Sequence, residues 1–170
     1  MADTAPTSSE PRTTIARLLR GSQAHAGLGA AVRGLSAALA GRRVEGHRHT
    51  AWQLVEHLRL AAEDLVSYCR DARYRELPFP EGYWPASAMP PSPEDWTASV
   101  DGLLAVTEAM ARLVEDETQD LNSPVPAAYQ PNHHLLRAAL ILLDHNGYHA
   151  GQLVALRQAL NAWPPPALDH

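Results

Sequence analysis

Cysteine is almost missing from this chain. Cys69 stands alone, so no internal disulfide can form and the fold must be held by packing rather than by staples. Also missing is any segment dense in positive charge. With 14 Lys and Arg against 19 Asp and Glu, a net charge of −5 and a pI near 5.9, the chain offers no electrostatic footprint for nucleic acid or an anionic membrane. No apolar run is long enough to span a bilayer, no repeat of fixed period is visible, and residues 1–12 (MADTAPTSSEPR) lack the apolar stretch of a signal peptide. These absences predict a cytoplasmic protein with neither nucleic acid nor membrane among its partners.

What is present is helical periodicity, over a length of 170 residues that suits one domain with a full core. Residues 1–12 have little to bury and are expected to be a loose tail. From Thr13 or Thr14 as N-cap, Ile15, Leu18, Leu19, Leu28, Val32, Leu35 and Leu39 predict a first helix over 13–40. Gly21, Gly27, Gly29 and Gly34 each cost that helix about 1 kcal/mol relative to Ala, so a break near Gly21 or a close approach by a neighbour is expected. A second helix over 49–71, opened by Thr50 or His49, carries Trp52, Leu54, Val55, Leu58 and Val66.

Residues 77–93 hold six prolines, which exclude regular helix, yet also Phe79, Tyr83, Trp84 and Met89. A packed loop follows, draped over a hydrophobic face or covering a site. Ser92-Pro93-Glu94-Asp95 reads as N-cap, Pro at the first helical position and acids in the first turn, starting a third helix over 94–117. Asn132 is the expected cap of a fourth over 133–160, which Asn161 and Pro164-Pro165-Pro166 stop. The prediction is an all-α, antiparallel four-helix bundle: one domain over 13–163, with a C-terminal tail at 164–170.

His145 and His149 lie four residues apart in the apolar run Leu140 to Leu156, so both imidazoles project from one helix face and could share one metal ion. The same stripe holds Ala138, Ile141, Leu142, Leu153 and Leu156. On the second helix His57 shares a face with Leu54, Leu60, Ala61 and Asp64, which makes it the natural third ligand. Three imidazoles suit a divalent ion such as Zn, Ni or Fe and leave coordination positions open, as catalytic zinc sites do. The competing reading is a set of core histidines hydrogen-bonded to carbonyls or to Asp64 and Asp144. Position 146 is Asn, so the His-Glu-x-x-His arrangement of zinc peptidases is absent.

Asp144-His-Asn-Gly-Tyr-His-Ala-Gly-Gln-Leu153, with His49-Thr-Ala-Trp-Gln-Leu-Val-Glu-His57 and Pro80-Glu-Gly-Tyr-Trp-Pro85 upstream, resembles the DinB-like (YfiT-like) superfamily over roughly His49 to Trp163. The resemblance implies a bundle with up-down-down-up connectivity, often a homodimer, holding a divalent metal on His57, His145 and His149. It further implies a metal-dependent enzyme acting on a small molecule, in better characterised relatives a thiol transferase or isomerase working with a low-molecular-weight thiol. The alternative is a non-catalytic, stress-related bundle that binds a metal or ligand. The small Gly and Ala positions of the first helix are the expected place for close packing in a homodimer.

Other residues keep two readings each. His49 caps the second helix or lies near the metal; Asp64 orients an imidazole or pairs with a surface Arg. Tyr148 and Gln152 contact a substrate or pack. Asp144 and Glu56 point about 100° away from the neighbouring ligands and read as solvated or interhelical carboxylates. His133 and His134 read as surface residues, and Cys69 as a buried thiol rather than a nucleophile.

Overall fold

The computed structural model describes residues 9–21 and 23–165. Among these the chain is all-helical, with six helices: α1 (Ser9–Arg20), α2 (Leu28–Val32), α3 (Ala37–Ala40), α4 (Ala51–Arg70), α5 (Pro93–Glu115) and α6 (Leu135–Ala159). The one β-type contact is an isolated antiparallel bridge between Pro124 and His134.

The predicted first helix is three helices. α1 starts at Ser9, inside the stretch expected to be a loose tail, and the rest of that stretch, residues 1–8, lies outside the described residues. Arg12 explains the early start: its guanidinium donates to the carbonyls of Val114 (2.8 Å) and Asp116 (3.0 Å), groups left without helical partners where α5 ends. Thr13 and Thr14 are therefore interior positions and not caps. α1 stops at Gly21, as the glycine count suggested. Gly34, at φ 72, turns the chain between α2 and α3 in the left-handed region that a side chain would resist.

The later helices begin for local reasons. Thr50 caps α4 in a reciprocal box, its side chain accepting from the Gln53 N–H while the Gln53 side chain accepts from the Thr50 N–H. The cap is thus Thr50 and not His49. Ser92 caps α5 with Pro93 behind it. At α6 the cap is His134 rather than Asn132: its Nδ1 accepts from the Arg137 N–H at 3.1 Å. His133, expected at the surface, is buried and shares a 2.7 Å hydrogen bond with the Tyr68 hydroxyl.

α1 packs on α5 and α6, and α4 packs on the same two helices. Two hydrophobic clusters fill the interior. One joins α1, the end of α4, the end of α5 and the start of α6 around Met110 and Leu142; the other joins α2, the start of α4, the start of α5 and the end of α6 around Leu58, Leu103 and Leu153. The segment of α6 from Leu143 to His149 lies between them, so polar groups there sit at the junction of two apolar cores. Among the described residues no helix is long and apolar enough to cross a membrane.

Candidate metal centre

α4 and α6 bring His57, His145 and His149 together, one ring nitrogen of each lying within 4.8 Å of the others. His57 and His149 are buried, and His145 is half-buried. The spacing predicted this for α6, where His149 follows His145 by about one turn. On α6 Ala138, Leu142, Leu153 and Leu156 are buried as expected, but Ile141 is exposed: the stripe that carries the histidines is narrower than the apolar pattern suggested.

The proton positions follow from the acceptors. His57 Nδ1 is 2.9 Å from the carbonyl of Tyr83, and a carbonyl can only accept, so Nδ1 carries the proton and the Nε2 lone pair points into the cluster. His149 Nδ1 is 2.8 Å from Gln152 Oε1, which by the same logic frees its Nε2. His57 Nε2 and His145 Nε2 lie 3.1 Å apart. Two nitrogens each about 2.0–2.1 Å from one ion would be separated by about 2.9–3.4 Å, so the His57–His145 pair has the spacing of two ligands of a shared cation, with a His149 nitrogen within 4.8 Å of both. Second nitrogens held by a carbonyl and an amide oxygen are the usual outer support of ligating histidines.

Electrostatics agree with lone-pair donors. Burial, more than any neighbouring charge, lowers the pKa of all three imidazoles, that of His145 to about 4, and no carboxylate among the described residues compensates. Neutral imidazole is the ligating form.

The Pro-rich loop covers this cluster. Trp84 stacks on His57 at 3.8 Å between ring centroids and 5° between planes, and His49 stacks on the other face of Trp84 at 4.1 Å. The loop is tied to the start of α4 by the Thr50 hydroxyl, which donates to the Ala88 carbonyl at 2.7 Å. Met89 sits so close to Gly41 that a Cβ there would meet its side chain at 2.8 Å. Trp84 meets both readings of the loop, since it stacks on His57 and also packs against the second hydrophobic cluster, although Phe79 stays exposed.

The remaining singled-out residues divide. Gln152 orients His149, and Tyr148 lies edge-on to it at 4.9 Å with its ring largely in solvent. His49 is one aromatic ring removed from His57 and stands outside the converging trio. Asp64 takes neither expected part: the Tyr74 hydroxyl donates to both its oxygens at 2.9 Å, and Tyr83 hydrogen-bonds it too. It thereby anchors the loop residue whose carbonyl holds His57. Glu56 is paired with Arg59 at 2.8 Å, Asp144 is exposed, and burial pushes the Cys69 thiol up to about 12, far from a nucleophilic thiolate.

Two polar features went unseen in the sequence. The Tyr83 carbonyl is a backbone group, which composition cannot flag. Asn146 is buried between the ligand positions, with neither its amide nitrogen nor its oxygen hydrogen-bonded to any described residue, an arrangement that costs about 1–3 kcal/mol.

Against known proteins, the chain matches the family model of the DinB superfamily over residues 21–153. No curated protein matches it, and no solved structure does.

Proposed function

From a chain that belongs to the DinB superfamily, with three converging imidazoles, we propose a divalent-metal-dependent enzyme that transfers or isomerises a small substrate linked to a low-molecular-weight thiol. The observation that carries this reading is the donor set itself. His57 and His149 have their protons fixed on Nδ1 by outside acceptors, and no fourth His, Cys, Asp or Glu among the described residues joins the group. A divalent ion such as Zn, Ni or Fe, when bound, supplies Lewis-acid chemistry and lowers the pKa of a coordinated thiol or water. The chain's own residues have separate tasks. His57, His145 and His149 hold the ion; the Tyr83 carbonyl and Gln152 keep two of the rings turned inward; Trp84 shields the His57 face from water; Tyr148 stands at the solvent side. The setting in this reading is the cytoplasm, where thiols are kept reduced.

One observation favours the non-catalytic alternative. Among the described residues no carboxylate is placed to act as a base, since Asp64 is held by tyrosines, Glu56 by Arg59, and Asp144 faces solvent. Metal content is the first test: untagged protein should retain or take up about one equivalent of a divalent ion, and His149→Ala should not. Metal-loaded protein is then offered electrophiles with bacillithiol, mycothiol or glutathione. Turnover that is faster than with His57→Ala supports the transferase; metal binding with no turnover leaves the binding protein in its place.

A further inference from the structure

Asp64 follows His57 by seven residues on α4, so its carboxylate and the imidazole lie on one face, about 10 Å apart along the axis. Tyr83 spans that gap. Its carbonyl accepts from His57 Nδ1 at 2.9 Å, while its hydroxyl lies within hydrogen-bonding reach of both Asp64 and Tyr74. Tyr74, in the turn that follows α4, donates to both Asp64 oxygens at 2.9 Å and sets its ring edge-on to Tyr68 at 5.1 Å. Among the described residues Asp64 makes no ion pair, so tyrosine hydroxyls are what its carboxylate holds in place.

A neutral imidazole has two tautomers, and for His57 only the one protonated at Nδ1 turns the Nε2 lone pair toward His145 and His149. The Trp84 stack lies on the ring face and is indifferent to which nitrogen carries the proton. The choice therefore falls to the Tyr83 carbonyl, which makes it only from its present place: a shift of about 1 Å takes it out of hydrogen-bonding range. That place is set at the far end of the same residue, where Asp64 and Tyr74 hold the hydroxyl. We propose that Asp64 and Tyr74 are positioning residues of the metal centre: through Tyr83 they fix the His57 tautomer, and through the same bonds they couple closure of the Pro-rich loop to occupation of the centre.

The coupling is reciprocal by thermodynamic necessity. Whatever holds the carbonyl on Nδ1–H favours an ion at Nε2, and an ion at Nε2 makes Nδ1–H a stronger donor, which holds the loop against α4. Two groups about 10 Å apart on one helix thus act on the centre through a single loop residue. The affinity and the coupling rest on the metal reading; the tautomer does not.

Nitrogen NMR of the imidazoles in the full, metal-free chain reads the tautomer directly, with His57→Ala identifying the His57 signals. Native protein should show His57 protonated at Nδ1, and Asp64→Ala or Tyr74→Phe should move it toward the Nε2–H form. Zinc affinity, measured by competition with a chelator, should fall about tenfold in each of the two. Tyr68→Phe removes a hydroxyl from the same aromatic group, but one that bonds His133, and should change neither reading. Zinc should slow hydrogen exchange at the Gly82 and Tyr83 amides, both hydrogen-bonded within the loop, and do so less in Tyr74→Phe, with circular dichroism showing that every variant is helical. A tautomer unmoved in Asp64→Ala, an affinity loss shared equally by Tyr68→Phe, or loop protection equal in native and Tyr74→Phe protein would each overturn the proposal. A tautomer that moves as expected in protein that takes up no zinc would sink the metal reading and leave the positioning of His57 standing.

Discussion

Two groups of basic side chains are buried along α6, and they meet the cost of burial in opposite ways. His57, His145 and His149 shed their charge: desolvation lowers their pKa values, and the inward nitrogens of His57 and His145 share a 3.1 Å hydrogen bond. Arg157, two turns beyond His149, cannot do this, because a guanidinium stays charged even where burial lowers its pKa. It is fully buried, and no carboxylate among the described residues bonds it. Its Nη1 donates instead to the carbonyls of Ala30 (3.2 Å), Ala31 (2.9 Å) and Arg33 (2.8 Å), and its Nε to that of Ala162 (3.0 Å). The carbonyls at the end of α2 have no helical partners, and the negative end of the helix favours a cation. The contrast teaches that buried bases able to deprotonate are left as neutral groups that could hold an ion, whereas one that cannot deprotonate becomes a structural clamp.

The largest effect should come from breaking the clamp. Arg157→Ala leaves the buried Ala31 carbonyl and three part-buried ones without their donor and removes a large, fully buried side chain, and the urea midpoint should show a loss of about 3 kcal/mol or more. Arg157→Lys should recover only part of it, since one ammonium cannot reach the same set of carbonyls. Full recovery would mean that charge alone, and not the fork of donors, holds α2 to α6.

Next in size is the gain from filling the donor set. A divalent ion in hundredfold excess over its dissociation constant should stabilise the protein by about 2.7 kcal/mol in thermal unfolding, and His57→Ala should show no such shift. An equal shift in both proteins would move the ion to another site.

A smaller effect separates the two regions by pH. In metal-free protein the folded imidazoles titrate below the ordinary histidine value near 6.5, His145 at about 4. Between those values the unfolded chain binds more protons than the folded one, so stability present above pH 6.5 is lost as pH falls toward 4. Arg157 contributes no slope in that window. Unfolding followed across it should steepen with acid, and His145→Gln should flatten the curve; an unchanged slope would place the titrating group elsewhere.

The smallest effect is on ring orientation. Gln152→Ala removes the acceptor that holds His149 Nδ1–H, and metal affinity measured by competition with a chelator should fall by about tenfold while the unfolding midpoint hardly moves.

The division between what was legible in the sequence and what was not follows the range of the forces involved. Helix periodicity, the Ser92-Pro93 start of α5 and the spacing of His145 and His149 act within a turn or two, and each was readable because one helix determines it. His57 was readable as a third donor only because it sits on a comparable stripe of its own. The first helix was misjudged because its apolar spacing continues across the breaks after Arg20 and Val32, the second of which turns at Gly34 in the left-handed region that glycine adopts readily. His133 and Arg157 looked like surface residues or went unremarked, because their burial depends on a Tyr68 hydroxyl and on α2 carbonyls, far along the chain. By itself the sequence determined an all-helical chain and a face bearing two histidines, since both are local consequences of a 3.6-residue repeat. Only the tertiary structure decided that a third imidazole opposes them, that the Tyr83 carbonyl and Gln152 turn the lone pairs of His57 and His149 inward, and that a charged arginine lies buried with no acid beside it among the described residues. Each of those facts is a contact that exists only once separate elements are packed.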